Sequence, residues 1–154
     1  MKTFKHYITE IGDSTYPSEY EGSAVGGLYH HYSVKHPTDS NKDLRVSIRH
    51  DPASNRGKRS AEVSFTRKEG PKSHAQTNDM STGESVKVFS TVHKIMKQHA
   101  ESNPSITHFK FTSDKNTEPT RRSLYTRFAK NRGGTTKSDD ENETYDHTIP
   151  AKNL

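Results

Sequence analysis

Between residues 28 and 66, polar and apolar positions alternate strictly in three separate segments. One face of each segment carries, in chain order, Leu28, His30, Tyr32 and Val34; Leu44, Val46 and Ile48; and Ala61, Val63 and Phe65. A period of two with one apolar face is typical of antiparallel strands that bury one side. The links HPTDSNKD and DPASNRGKR are rich in turn-forming residues, so the pattern predicts an antiparallel meander.

Two further segments repeat at helical spacing. The first covers residues 83–99, and its apolar stripe consists of Val88, Phe89, Val92, Ile95 and Met96. The second covers residues 117–132, where Pro119 suits a first helical turn and two glycines follow the last turn. Its apolar face carries Leu124 and Phe128. The segment ITHFKFTSD lies between these two helices and predicts a fourth strand.

The predicted order is β-β-β-α-β-α, which defines an α+β domain with a mostly antiparallel sheet and two packed helices. We assign this domain to residues 28–133. The glycine-punctuated residues 11–27 are predicted to form a linker. The polar, acidic residues 134–154 have little to bury and are predicted to be a disordered tail. A long polar segment between the third strand and the first helix is typical of a functional or mobile loop.

Composition limits the chemistry. The chain has 154 residues, of which 26% are hydrophobic, so a single small core is the expectation. It has no cysteine, which excludes disulfides, thiolate metal sites and a cysteine nucleophile. Its ten histidines show no metal-ligand spacing beside a carboxylate, so we interpret them as solvent or structural residues and predict no metal. No apolar run is long enough for a membrane span or a secretory signal, so no membrane partner is expected.

The net charge of +5 favours anionic partners. Residues 110–132 alone contain seven positive and two negative side chains. The candidate nucleic-acid or phosphate-binding residues of this segment are Lys110, Lys115, Arg121, Arg122, Arg127 and Lys130. The alternative is that they form an ordinary solvated helix face.

The element order, together with KFTSDKNTEPTRRSLYTRFAKN, resembles the C-terminal half of the GNAT acyltransferase fold. The resemblance implies a turn and helix start that hold the pyrophosphate of acyl-CoA, here at Gly83, Glu84 and Ser85. It also implies that Tyr125, which follows Leu124, protonates the leaving thiolate. The turn departs from the glycine-rich pattern of that family, so an active N-acyltransferase and a degenerate one both stay open. Core packing of Tyr125 on its helix is the alternative for that residue.

The first ten residues, MKTFKHYITE, resemble the capsid-targeting peptide of internal head proteins of large contractile-tailed bacteriophages. The matching residues are Met1, Lys2, Thr3, Phe4, Tyr7, Ile8 and Glu10. The resemblance implies docking into the prohead scaffold and cleavage after Ile8-Thr9-Glu10, so that the mature chain begins at Ile11. The alternative is a short N-terminal helix that packs on the domain.

Three functions follow as expectations. The first is a phage virion protein of the head interior, without a cofactor, that binds DNA or a host protein and reaches the host cytoplasm with the DNA. The second is an active GNAT-type N-acyltransferase that uses acyl-CoA. The third is a structural head component whose domain packs against the capsid.

Overall fold

The computed structural model describes residues 15–39, 42–52, 57–67, 82–115 and 119–154. Within these residues there are seven strands, two α-helices and one 3₁₀ turn. Their bounds are β1 (Ser18–Ala24), β2 (Tyr29–Val34), β3 (Leu44–His50), β4 (Arg59–Arg67), α1 (Thr82–Ser102), β5 (Ile106–Asp114), α2 (Pro119–Asn131), β6 (Thr135–Asp139), β7 (Thr144–Pro150) and the 3₁₀ turn Ala151–Asn153. The predicted targeting segment, with Ile8, Glu10 and Ile11, lies outside the described residues.

All seven strands belong to one sheet with the order β1-β2-β3-β4-β5-β7-β6. Every neighbouring pair is antiparallel except β4 and β5, which are parallel and are connected through α1. Parallel neighbours need a crossover connection of this kind. The predicted fold class, an α+β domain with a mostly antiparallel sheet and two helices, is therefore confirmed at this level.

Both helices pack on one face of the sheet, and the core beneath them forms two groups. The first core cluster lies mainly between α1 and strands β2–β5 and consists of Tyr16, Val34, Leu44, Val46, Ile48, Ala61, Val63, Val88, Val92, Ile95, Met96, Ile106 and Phe109. The second core cluster lies beneath α2 and consists of Phe89, Phe111, Leu124, Tyr125, Phe128, Ala129 and Ile149. Adjacent positions on α1 contribute to both clusters, because Val88 belongs to the first and Phe89 to the second.

The predicted linker is wrong over residues 18–24, which form β1. This strand pairs with β2 antiparallel, and its register shifts between Tyr20 and Gly22. Gly22 has a φ of 122°, a conformation that glycine adopts readily. The glycine thus marks a bulge inside a strand, where the sequence pattern indicated a break.

The predicted disordered tail is also wrong, because residues 135–139 and 144–150 form β6 and β7. Strand β7 pairs with β5 along its whole length and buries His147 and Ile149 completely. It presents these two side chains to the helix-covered face, with the polar Thr148 between them. The backbone partners that β5 offers offset the scarcity of apolar side chains in this segment.

No helix among the described residues is both long enough and apolar enough to cross a membrane.

Candidate ligand-binding cleft between two parallel strands

The parallel ladder between β4 and β5 is short. It runs from Arg59 and Ile106 to Glu62 and Lys110, and both strands continue beyond its last pair, to Arg67 and Asp114. The carboxyl-terminal parts of the two strands are therefore not paired with each other, and we call the space between these unpaired ends the β4–β5 cleft.

Each wall of this cleft is held by a strand on its outer side. Strand β4 stays paired with β3 up to Arg67, and β5 stays paired with β7 up to Asp114. The inner edge of β4 after Glu62 therefore exposes backbone groups without a neighbouring strand among the described residues. In open sheets with parallel strands, ligands bind outside the carboxyl ends of such strands.

Aromatic side chains line the helix side of the cleft. Phe65 is half-buried and contacts both core clusters, so it lies where the two clusters meet. Phe111 is the first residue of β5 after the last pair and is buried. The ring of Phe89 on α1 is centred 5.8 Å from that of Phe111, which connects the start of α1 to this wall.

Tyr125, the predicted catalytic acid, lies within the second core cluster. Its ring centroid is 4.8 Å from that of Phe89 and 5.9 Å from that of Phe111, and the residue is only 6% exposed. The fold thus brings Tyr125 to the β5 wall of the cleft, with its ring packed as a core residue. This packing explains the Leu-Tyr pair on α2 without requiring catalysis, and it places a phenol near the cleft.

His147 gives the second core cluster a polar centre. Its Nε2 lies 2.9 Å from Oγ of Ser113, and its Nδ1 lies 2.9 Å from Oγ1 of Thr136. Burial lowers the pKa of His147 to about 4, although the nearby Asp146 carboxylate acts in the opposite direction. A neutral imidazole carries one donor and one acceptor, and hydroxyls satisfy either, so both ring nitrogens are bonded.

The predicted pyrophosphate residues lie in the first turn of α1. Gly83 is exposed, and no described atom lies within 4 Å of the position a Cβ would take. Glu84 forms an ion pair with Lys42, with 3.7 Å between Oε1 and Nζ. An acidic side chain stabilises a helix start but repels a bound phosphate. Glu84 therefore opposes the role that the family resemblance implies for this turn.

The predicted basic residues do not form one patch. Lys110 lies between buried Phe109 and Phe111, so it points to the open face of the sheet, opposite the helices. There its Nζ is 2.6 Å from Oδ2 of Asp51. Lys115 follows β5 and is bonded to Asp140.

Arg127 and Lys130 are exposed on α2, on the helix-covered side of the sheet. Arg121 and Arg122 lie at the start of α2, and their side chains are outside the described set. The structure therefore separates Lys110 from the α2 residues with which the sequence grouped it.

A basic groove on the open face was not anticipated from the sequence. This cavity of about 430 Å³ lies at the amino-terminal ends of β4 and β5. It is lined by Pro52, Lys58, Arg59, Ser60, Thr107, His108, Lys110 and Thr148. Only chain topology brings the two short basic runs of this groove together, so residue spacing along the chain carried no signal for it.

Three histidines that the sequence interpretation treated as solvent or structural lie side by side. They are His30 on β2, His50 on β3 and His99 on α1, and one ring nitrogen of each lies within 4.8 Å of the others. This is a group of metal-capable side chains from three elements, far from one another in the chain. The amino-acid sequence did contain an indication that these histidines are buried, since each one continues the apolar face of its own strand or helix.

The fold is an α+β domain whose central parallel strands stop pairing with each other before their carboxyl ends. Comparisons with known protein families, with curated proteins and with solved structures found no match to this chain.

Proposed function

We propose that the protein is a GNAT-like acyl-CoA-binding domain carried in a bacteriophage head. The observation that carries the proposal is the end of β4–β5 pairing at Glu62 and Lys110, although both strands continue, in a sheet of order β1-β2-β3-β4-β5-β7-β6. The helix that follows β4 begins at Thr82, on the carboxyl side of this cleft.

The physical case rests on two groups of backbone atoms that have no ladder or intrahelical partner among the described residues. The inner edge of β4 after Glu62 can accept an extended ligand arm by strand-like hydrogen bonds. The first N–H groups of α1 have no partner within the helix and favour a phosphate group. An acyl-CoA has both an extended amide-containing arm and a pyrophosphate, so one ligand fits both features.

Glu84 and Tyr125 favour a degenerate enzyme over an efficient one. Glu84 places a carboxylate in the turn that would receive the pyrophosphate, which weakens binding of a dianionic group. Tyr125 is packed among aromatic rings, so its phenol has little exposure for proton transfer. The protein is therefore a domain that binds acyl-CoA and transfers the acyl group slowly.

The test is calorimetric titration of the protein with acetyl-CoA. We expect saturable binding with a micromolar to submillimolar Kd, and Glu84→Gln should tighten it by about fivefold, since removing one charge at a helix start is worth about 1 kcal/mol. Glu101→Gln, at the exposed far end of the same helix, is the matched control and should leave Kd unchanged. Absence of saturable binding in both the wild type and Glu84→Gln would contradict the proposal.

Catalysis is tested separately with Tyr125→Phe. The phenylalanine ring keeps the packing against Phe89 and Phe111 and removes the hydroxyl alone. If Tyr125 is the acid, any acyl transfer should fall by about 10²–10⁴-fold, while acetyl-CoA binding stays the same. An unchanged transfer rate would leave Tyr125 as a core residue.

The setting in a phage head rests on the resemblance of residues 1–10 to a targeting peptide. Mass spectrometry of the protein recovered from particles tests it. A chain that begins at Ile11 supports packaging and processing after Glu10. An intact Met1, or absence from particles, removes the head from the proposal and leaves acyl-CoA binding to be judged alone.

Binding of DNA is a second candidate function, which the basic groove on the open face supports. Lys58 and Lys110 bring two positive charges to one cavity, and Asp51 offsets part of that charge. We expect Lys58→Ala/Lys110→Ala to weaken DNA binding. The slope of the logarithm of the binding constant against the logarithm of salt concentration should decrease in magnitude by about 2. The control Lys94→Ala/Lys97→Ala removes equal charge from exposed positions on α1. Equal losses in both variants would indicate a general charge effect, without a role for the groove.

A further inference from the structure

Three imidazole rings are in mutual contact where β2, β3 and α1 meet. The ring centroids are 4.5 Å apart for His30 and His50, 4.8 Å for His30 and His99, and 5.0 Å for His50 and His99. The Nε2 atoms of His50 and His99 are 2.7 Å apart. Two nitrogens thus face each other with one proton between them at most.

The three rings sit in a protected position. His50 and His99 are buried, at 5% and 2% exposure, while His30 is half-buried nearer the surface. Burial, together with the neighbouring imidazoles, lowers the pKa of His99 to about 4 and also lowers that of His50. Neutral imidazoles keep a lone pair available, which is the form that binds metal ions.

Other groups already orient two of the rings. The hydroxyl of Tyr32 lies 2.7 Å from Nδ1 of His99, which leaves Nε2 as the nitrogen directed at His50. The carbonyl oxygen of Gly27 lies 3.0 Å from Nε2 of His30, which leaves Nδ1 beside the hydroxyl of Tyr20. Histidine ligands of metals characteristically have their second ring nitrogen fixed by such an outer partner.

We propose that His30, His50 and His99 form a three-histidine binding site for a divalent transition-metal cation, with Zn²⁺ as the representative ion. The ligand atoms are Nδ1 of His30 and Nε2 of His50 and His99. The fourth position lies beside the hydroxyl of Tyr20, which is 50% exposed and provides access from solvent. This site is independent of the acyl-CoA cleft and of the proposed function.

The three ligand nitrogens must move in two ways to accept a metal. They lie within 4.8 Å of one another, so a pair at that limit would close by roughly 1.5 Å, while the closest pair would open. Ligand nitrogens around tetrahedral Zn²⁺, at about 2.0–2.1 Å from the metal, are roughly 3.3 Å apart. The Nε2 atoms of His50 and His99 would therefore separate by roughly 0.6 Å from their present 2.7 Å. Because imidazole nitrogens suit Zn²⁺, Cu²⁺ and Ni²⁺ better than Mg²⁺ or Ca²⁺, the site should discriminate against the last two.

One neighbouring charge opposes the metal. The Arg59 guanidinium is close enough to contribute to the lowered pKa of His50. A nearby cation disfavours a divalent ion for the same electrostatic reason. Arg59→Gln should therefore tighten metal binding relative to the wild type. A purely structural histidine cluster would not show this increase in affinity.

The experiment is titration of the chelator-treated full chain with Zn²⁺, followed by calorimetry, and with Co²⁺, followed by visible absorption. We expect one Zn²⁺ per chain, a rise in Tm on binding, and the absorption bands of four-coordinate Co²⁺. His50→Gln and His30→Gln should each weaken binding by at least about 100-fold and abolish those bands. His30 is half-buried, so its variant keeps the test valid if His50→Gln fails to fold.

The matched control is His108→Gln, since His108 is an exposed histidine outside the cluster. Binding in this variant should equal that of the wild type. The proposal is overturned if the wild type shows no saturable binding, if one-to-one binding persists in His30→Gln and His50→Gln, or if His108→Gln abolishes it.

Discussion

The two halves of the sheet both bury histidine, but they satisfy it in opposite ways. The first half comprises β1–β4 with α1, and the second comprises β5–β7 with α2. In the second half, His147 has a hydroxyl at each ring nitrogen, from Ser113 and Thr136. In the first half, Nε2 of His50 faces Nε2 of His99. The His147 arrangement is complete without a ligand, whereas the His50–His99 arrangement brings lone-pair nitrogens together.

The halves also differ in how they pack. The first core cluster is mainly aliphatic, and alternating strand positions supply much of it. The second contains Phe89, Phe111, Tyr125 and Phe128, whose rings contact one another closely. The second half has fewer alternating apolar positions, so its stability depends more on a few specific contacts. Substitutions at those contacts should therefore cost more than similar ones in the first half.

The largest effect is expected at Gly134, which joins α2 to β6. A Cβ there would lie 2.3 Å from the carbonyl oxygen of Thr148 and 3.0 Å from that of Ala129. Backbone atoms cannot rotate away, so Gly134→Ala should lower the free energy of unfolding by about 3 kcal/mol or more. Chemical denaturation measures this loss.

The matched control in the first half is Gly83→Ala. This position has open space for a Cβ and gains helix propensity, so the substitution should be neutral or stabilising. Equal losses in the two variants would remove the contrast between the halves.

The next effect is the pH dependence that His147 imposes on stability. Its folded pKa is lowered by burial to about 4, while an unfolded histidine titrates near 6.5. As pH falls below 6.5, the unfolded state binds a proton that the folded state does not accept until about pH 4. Stability should therefore fall across this window, by about 3 kcal/mol for this residue.

The measurement for His147 is the free energy of unfolding at a series of pH values from 7 to 4. His147→Gln keeps hydrogen-bonding capacity but does not titrate, so its pH dependence should be shallower than that of the wild type. His108→Gln, at an exposed site, should retain the wild-type slope. A slope in His147→Gln that matches the wild type would show that His147 is not the source.

The smallest effect is expected for the ion pair that connects the halves on the open face. Lys110 in the second half contacts Asp51 in the first at 2.6 Å, and both side chains are partly exposed. Exposed pairs contribute less than about 1 kcal/mol. A double-mutant cycle with Lys110→Met and Asp51→Asn should give a coupling energy in that range that decreases with added salt. A coupling energy well above it would contradict the expectation that this exposed pair contributes little to holding the halves together.

The sequence predicted the elements whose apolar residues repeat regularly. Strands β2–β5 and both helices follow from periodicity, and β3 is the clearest case because Leu44, Val46 and Ile48 are all buried. Strands β1, β6 and β7 were missed for two reasons. The first is that Gly22 was interpreted as the end of a regular element, whereas it marks a bulge within β1. The second is that the buried side of β7 includes His147, which a hydrophobicity pattern scores as polar.

The candidate site was predictable only in part. Tyr125 was placed correctly on a helix, but its position beside the β4–β5 cleft depends on topology. The three-histidine cluster combines residues 20 and 49 positions apart in the chain, so linear spacing rules could not reveal it. The useful clue was positional: a histidine that continues an apolar stripe is buried, and several such residues in one domain can meet.

The short ladder between β4 and β5 also has a consequence for cooperativity. In the described sheet, these strands provide the one ladder between the two halves, and each core cluster also includes side chains from the other half. The two halves are therefore coupled through four ladder pairs and through these shared core side chains. A ligand that bridges the unpaired ends of β4 and β5 would increase that coupling, and its binding energy would appear as slower amide hydrogen exchange in both halves at once.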